Sequence, residues 1–115
     1  MEKLSEDRIQ ELKAVYGEIS HAVIRWRDEN SKEHRVEFVH KRPSFENYEA
    51  FQSDIPKLGL ASANRNLIAS LCIHPESNDV VGRLDECPIA VDNWLGKVVL
   101  PTFGGDVVEA GSTKL

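Results

Sequence analysis

Cys72, His74 and Cys87 are the residues with metal-ligand chemistry that stand closest together in this sequence. Thiolates and imidazoles are good zinc ligands, but structural zinc sites use paired ligand spacings and four ligands. Here one Cys-x-His unit is followed by a single distant cysteine, which leaves the fourth ligand unnamed. We therefore favour two reduced, buried thiols over a zinc site, and we expect no metal ion and no cofactor.

Histidines and carboxylates are the remaining candidates for catalysis. A histidine base needs a nucleophile and an orienting acid, and the sequence contains no nucleophile elbow, phosphate loop or dinucleotide fingerprint. We therefore expect that the protein is not an enzyme. The alternative from this class is a small enzyme whose concave site gathers His40 and Cys72 with Asp85 or Glu86. Solvated carboxylates that complement a helix N-terminus are the simpler interpretation of the last two.

The charge balance argues against nucleic acid as a partner. The 115 residues include 14 lysines and arginines against 19 aspartates and glutamates, for a net charge of −5. Phosphate binding requires a concentrated basic surface, and the longest basic cluster is residues 40–42. A basic face on the hairpin is possible, with the members Arg25, Arg27, Arg35, Lys41 and Arg42. Cross-strand pairing with Glu18, Glu33 and Glu37 would neutralise much of its charge.

The apolar segments are too short for a membrane. The longest, residues 95–103, is interrupted by Gly96, Lys97 and Pro101, whereas a spanning helix requires roughly 20 apolar residues. The N-terminal segment is charged and amphipathic, which differs from a secretory signal. We therefore expect a cytoplasmic protein with no membrane partner.

Hydrophobic periodicity predicts an N-terminal helix and then a β-hairpin. Residues 4–16 carry a narrow apolar stripe behind the capping residue Ser5 and stop at Gly17. Residues 18–27 and 33–41 alternate with a period of two. A lone hairpin is marginal in water, so it must lie on helices. The alternation assigns a core-facing side to these even-numbered residues: Ala22, Ile24, Trp26, Val36 and Phe38.

Pro43 marks the change from strand to helix. Proline cannot continue a central ladder and disfavours helical dihedrals in the residue before it. Ser44 can then cap a helix that begins at Phe45 and that Pro56 and Gly59 end. The same helical period predicts a core helix at residues 60–73, a short helix capped by Ser77 or Asn78, and a last helix from Pro88 to Val98.

The predicted fold class is therefore α+β: an N-terminal helix, a β-hairpin and then a cluster of three to four helices. Residues 1–100 form this single domain, which suits the length of the chain. Residues 101–115 are glycine-rich and weakly patterned, and they predict a flexible C-terminal tail. An alternative is that this tail becomes ordered on a partner.

The order of these features resembles a family of small bacteriophage tail proteins, the tail assembly chaperone-like family. Its members share a Tyr-Gly pair before the first strand, a basic-Pro-Ser/Thr corner before an aromatic-bearing helix, and a leucine-rich helix that ends with a cysteine. The corresponding residues here are Tyr16-Gly17, Lys41-Arg42-Pro43-Ser44 with Tyr48, and Leu67 to Cys72. The resemblance covers residues 15–99.

The resemblance implies a non-catalytic role in phage or prophage tail morphogenesis, in the host cytoplasm. Such proteins are thought to bind the tape measure protein and keep it soluble while the tail tube polymerises. Another phage structural or interaction protein, such as a head–tail or baseplate component, is the alternative. The partner is then the tape measure or tail tube protein, and a homo-oligomer stays open.

Our candidates for partner binding are apolar residues that the core does not fully use. Trp94 also fits the intramolecular core, and we favour that interpretation of it, but exposed apolar residues mark sites where other chains attach. The four candidates are Phe51, Trp94, Val98 and Phe103.

Overall fold

The computed structural model describes residues 3–103 and 112–114 and confirms the α+β class. An N-terminal helix and a hairpin come first, and four α-helices follow. The elements of the described chain are α1 (Glu6–Tyr16), β1 (Ile19–Arg27), β2 (Glu33–Lys41), α2 (Phe45–Leu58), α3 (Leu60–Leu71), β3 (Cys72–His74), α4 (Ser77–Leu84) and α5 (Pro88–Trp94), and then a π-helix (Leu95–Val99) and a 3₁₀ helix (Leu100–Phe103).

Local signals fix the ends of α1 as expected. The Ser5 hydroxyl accepts a hydrogen bond from the Arg8 N–H at 3.2 Å, so it satisfies one of the unpaired donors of the first turn. Gly17 ends the helix at φ 78°, a conformation that favours glycine, and its N–H donates to the Lys13 carbonyl at 2.8 Å.

The β-hairpin forms with the predicted faces. Ile19 pairs with Lys41 at one end and Arg27 with Glu33 at the other, in antiparallel order. At the turn, the Trp26 and His34 rings stack at a centroid distance of 5.4 Å. The strands therefore place their even-numbered residues on one face of the sheet and their odd-numbered residues on the other.

A third strand was not predicted. The helix expected over residues 60–73 ends at Leu71, and Cys72–His74 forms the short strand β3, antiparallel to β2. The sheet order is β1-β2-β3, so β2 is central. Three residues are too few to show a period, and their pairing depends on residues over thirty positions earlier in the chain. The helix prediction was therefore wrong at its last two residues.

The corner at Pro43 forms as predicted. The Ser44 hydroxyl accepts from the Asn47 N–H, and the Asn47 side chain accepts from the Ser44 N–H, which is a reciprocal cap. α2 continues through Pro56 to Leu58 and ends at Gly59, so Pro56 does not itself end the helix. α4 begins at Ser77, with Glu76 rather than Ser77 or Asn78 in the capping position.

The main hydrophobic core lies between the even-numbered face of the sheet and the helices α2 to α5, which we call the helical face. Strand residues Ala22, Ile24, Val36 and Phe38 are buried together with apolar residues of all four helices and of the π-helix. Within this cluster, α2 packs on α3, while α4 contacts β2 and α5 contacts β1. The largest fully buried side chains are those of Phe38, Ile68, Leu71, Leu95 and Val99.

The odd-numbered face of the sheet has a thinner cover, which we call the α1 face. α1 lies against β1 there, and Leu12 is the buried residue of that helix. Val39 of β2 is also buried, yet neither Leu12 nor Val39 belongs to the main cluster. α1 is therefore attached to the sheet through a small separate contact.

The folded chain extends past the predicted start of the tail. Leu100–Phe103 forms a 3₁₀ helix, and Phe103 packs partly buried against the core. The rest of the predicted tail falls largely on residues 104–111 and 115, which lie outside the described residues. None of the helices that the structure describes is both long and apolar enough to cross a bilayer.

Candidate protein-docking surfaces

Cys72 is held in an environment that disfavours a reactive thiolate. Its side chain is half-buried, and the Sγ atom donates to the Pro75 carbonyl at 3.3 Å. Burial raises the pKa of the Cys72 thiol, because a thiolate is poorly solvated there. A thiol that stays protonated is a weak nucleophile and a weak metal ligand.

His40 and Asp85, two residues of the enzyme hypothesis, lie in different surroundings. His40 is buried, with Nδ1 3.0 Å from the Lys41 carbonyl oxygen and its ring 5.3 Å from that of Trp94. Asp85 instead lies in a groove between helices, which neither His40 nor Cys72 lines. Among the described residues, no cluster of three or more histidine, cysteine or acidic side chains could hold a metal ion.

The predicted partner-binding residues have different environments. Phe51 is only 6% exposed and belongs to the main core, so the expectation that the core leaves it available is wrong. It lies on the buried stripe of α2, one turn from Ile55. Trp94 and Phe103 are partly buried, with rings near those of Phe38 and Tyr48 respectively. Val98 is 42% exposed on the π-helix and can be reached by another chain.

The first candidate docking surface is a groove of about 540 Å³ between α3, α4 and α5, which we call the helical groove. Its size falls within the range of ligand-binding clefts. Mainly apolar side chains from the three helices line it, with one buried amide, in a set that includes Leu60, Asn64, Ile68, Val81, Leu84 and Val91.

Two polar pairs border the helical groove. Asn64 Nδ2 donates to Asp92 Oδ1 at 2.6 Å, which satisfies a mostly buried amide. Arg65 Nη2 lies 2.9 Å from Asp85 Oδ2, with both side chains about half exposed. These pairs hold α3 to α5 and to the end of α4 without filling the apolar floor, so the groove stays open to apolar side chains of another molecule.

Leu60 and Leu58 have similar exposure but different surroundings. Leu60 is 55% exposed and Leu58 is 54% exposed, on either side of Gly59. Only Leu60 lines the helical groove. The helical period predicts that Leu60 belongs to the buried stripe of α3, and this prediction was wrong. Its position in the first turn of that helix is the signal that could have indicated its exposure.

The second candidate surface is the outer edge of β1. This strand lies at the end of the sheet and pairs only with β2 among the described residues. The Arg42 N–H donates to the Glu18 carbonyl, and the Asp28 N–H donates to the Lys32 carbonyl. Because bonded residues alternate along an antiparallel strand, the even-numbered residues of β1 bond to β2. The N–H and C=O groups of these residues point outward: Ile19, His21, Val23, Arg25 and Arg27.

Next to this edge, a cleft of about 480 Å³ separates α1 from the sheet, and we call it the α1 cleft. Leu4 and Ile9 form its apolar wall on the helix side, and Ile19 and Val39 form it on the sheet side. Among the described residues that line it, Lys3, Lys13 and His21 are the ionisable ones. The described lining of the cleft therefore includes two lysines and no carboxylate, although the whole chain has a net charge of −5.

The predicted neutralisation of the basic hairpin face is confirmed in part. Arg25 Nη1 lies 3.8 Å from Glu33, Arg42 Nη1 lies 3.6 Å from Glu18, and Arg35 pairs with Glu37. The Arg35 guanidinium hydrogen-bonds to the Glu37 carboxylate, and this bond lowers the pKa of Glu37.

The turn end of the hairpin is held by a polar cluster around His34. His34 Nε2 lies 2.9 Å from Asp28 Oδ2, and the N–H groups of Asn30 and Lys32 donate to Asp28 Oδ1. The hydrogen bond with His34, aided by these N–H groups, lowers the pKa of Asp28. His34 Nδ1 also lies 3.9 Å from Glu86, so the cluster connects the turn to the end of α4.

These features together define a small α+β protein with an apolar hollow on each side of one sheet. No protein-family model and no curated protein sequence matches the chain. Among solved structures, the fold is similar to the structure of the uncharacterised protein rbstp2171 from Bacillus stearothermophilus. The TM-score is 0.61, the sequence identity is 21%, and the match covers 92% of this chain and 99% of the other. At that identity, the likeness shows a common fold alone.

Proposed function

We propose that this protein is a non-catalytic chaperone of phage or prophage tail assembly, which binds the tape measure protein in the host cytoplasm. The observation that carries the proposal is the helical groove, an apolar hollow of about 540 Å³ that the chain's own side chains leave open. The resemblance of residues 15–99 to small tail proteins supports the choice of partner.

The groove suits the partner for a physical reason. A long amphipathic helix exposes a stripe of apolar residues at spacings of three and four, and such helices bind by inserting that stripe into a groove between other helices. The floor of the helical groove is aliphatic, at Ile68, Leu84 and Val91. The two polar pairs at its border can meet the polar flanks of the same helix. Apolar contacts of this kind would shield the aggregation-prone helix from other chains, and they are reversible, so the helix can later be released.

Val98 stays in the proposal as a second contact. It is exposed on the π-helix that continues α5, and Leu100 follows it with similar exposure. Trp94 and Phe103 support this segment from inside, since both pack against the core. A partner that spans the groove and the π-helix would thus touch Leu60 and Val98 together.

The proposal predicts that a long helical protein is encoded next to this one, and the test is coexpression of the two. We expect the neighbour's soluble yield to rise and the two chains to copurify. Leu60→Glu should reduce the copurified amount about tenfold, because burying one leucine contributes about 1.5–3 kcal/mol and 1.4 kcal/mol is a factor of ten. Leu58→Glu is the matched control, as it changes an equally exposed leucine outside the groove. Val98→Glu should also reduce copurification.

Two results would contradict the proposal. An unchanged solubility of the neighbour would exclude the chaperone role, and equal losses for Leu58→Glu and Leu60→Glu would exclude the helical groove as the binding site. Copurification with a head–tail or baseplate protein, in place of the tape measure protein, would favour the alternative structural role. Circular dichroism of each variant checks that the fold is intact.

A further inference from the structure

We propose that the β1 edge binds an acidic, extended segment of another protein as a fourth strand, with apolar side chains of that segment in the α1 cleft. This inference goes beyond the tail-assembly proposal. Its surface shares no residue with the helical groove, so either proposal can fail while the other stands.

The backbone of β1 offers a complete pairing edge. Five consecutive odd-numbered residues direct their N–H and C=O groups away from β2. Nine residues exceed the usual strand length of about five to six, so the edge is long enough for a full added strand. Main-chain hydrogen bonds provide affinity in this mode of recognition, and alternate side chains provide specificity.

The charges beside this edge select an acidic partner. β1 contains His21, Arg25 and Arg27 and no carboxylate. Glu33 lies opposite Arg27 in the strand register and 3.8 Å from Arg25, so one carboxylate faces two guanidinium groups. The α1 face of the hairpin has four arginine and lysine side chains against two glutamates, a net charge of +2 on a chain of net charge −5. Acidic residues opposite Arg25 and Arg27 would correct that imbalance.

The α1 cleft supplies the apolar part of the site. It opens beside Ile19 and His21, at the opposite end of β1 from Arg27. An added strand that places acidic residues near Arg25 and Arg27 brings its alternate residues, about six positions away, to the cleft. Lys3 and Lys13 border the cleft, so they add to the positive charge that an acidic segment meets. The matching segment therefore has two acidic residues at one end and aliphatic residues at the other, on alternate positions.

A second copy of the same chain is a poorer occupant. Pairing two β1 strands would leave Arg25 and Arg27 without a facing carboxylate, because β1 itself contains none. In the parallel arrangement it would also place like charges on facing strands, which is destabilising. Cationic side chains on edge strands are a common protection against self-association. The same residues that discourage a second copy attract a carboxylate-bearing strand.

The experiment uses a labelled ten-residue peptide with threonine at every second position. The other five positions carry, in order, aspartate, glutamate, valine, valine and isoleucine. A second peptide has the reverse order, since the added strand can run either way. Fluorescence anisotropy measures binding to the full chain. We expect one order to bind about tenfold more tightly than a counterpart with lysine at both acidic positions. Replacing the isoleucine with serine should also weaken binding. N-methylation of the backbone on the pairing side should abolish binding, because it removes the N–H donors.

A charge-swapped variant completes the test. Arg25→Glu combined with Arg27→Glu changes two exposed side chains and should exchange the preference, so that the lysine peptide binds more tightly than the acidic one. Equal binding of the N-methylated peptide would overturn strand addition, and an unchanged preference in the double variant would overturn the charge argument. A dimer of the unmodified chain that the double variant abolishes, seen by sedimentation equilibrium, would assign the edge to a second copy and also overturn the proposal.

Discussion

The helical face and the α1 face of the same sheet differ in how many helices cover them and how many residues they bury. Four helices cover the helical face, and its strand residues join one continuous core. A single helix with one buried residue, Leu12, covers part of the α1 face. Most of the free energy of folding should therefore come from the helical face. Detaching α1 or adding a strand beside it should change the free energy of unfolding much less. The side of the sheet that carries most of the stability is therefore different from the side on which the α1 cleft lies.

The largest expected effect is the loss of a core ring on the helical face. Phe38 is completely buried, with its ring 5.3 Å from that of Trp94. Phe38→Ala leaves a cavity between sheet and helices and should lower the free energy of unfolding by about 3–5 kcal/mol. Urea denaturation followed by circular dichroism measures this loss. A decrease below about 1 kcal/mol would mean that this face does not dominate stability.

A smaller effect is expected for the one buried residue of α1. Leu12→Ala should lower the free energy of unfolding by about 2 kcal/mol, the low end of the range for buried leucines, since α1 can detach without disturbing the main core. Hydrogen exchange should become faster in α1 and stay unchanged in β2. Faster exchange across β2 as well would show that the two faces unfold as one unit, and the contrast between them would fail.

The smallest effect concerns pH and the hairpin turn that both faces share. The pKa of Asp28 is lower in the folded state because it accepts a hydrogen bond from His34. Its contribution to stability is therefore present above its unfolded pKa, near 3.9, and is lost as pH falls through the lower folded value. Asp28→Asn should flatten the decline of Tm as the pH falls below about 5.

Replacement of the hydrogen-bond partner checks this assignment. His34→Gln removes the imidazole that faces Asp28 and should flatten the same part of the pH profile. If both variants keep the wild-type slope, the turn cluster does not couple to folding, and the acid sensitivity must come from elsewhere in the chain.

The sequence predicted the helical face better than the α1 face because burial on one side produces a simple period. Ala22, Ile24, Val36 and Phe38 occupy every second position of their strands, and all four are in the core. Near the end of β2 this pattern breaks, because Val39 and His40 are buried on opposite faces under different helices. A single strand gives no indication that both of its sides are covered.

The docking surfaces depend on tertiary contacts, so the sequence could not place them. The helical groove forms where three helices diverge, and no local pattern reports the angles between helices. Phe51 was proposed for binding although it shares its stripe with Tyr48 and Ile55, and the same helical period would have predicted its burial. The basic residues of the hairpin were noticed from the sequence, but the outward direction of the β1 backbone follows from the pairing register.

The position of β3 limits how many partners the sheet can recruit. It has only three residues, and its chain enters directly from α3 and leaves toward α4. That side of the sheet offers no long template, whereas β1 offers nine residues. If the sheet can be extended only at β1, each chain would take up one added strand. The complex would then stop at that size and would not extend into a fibre.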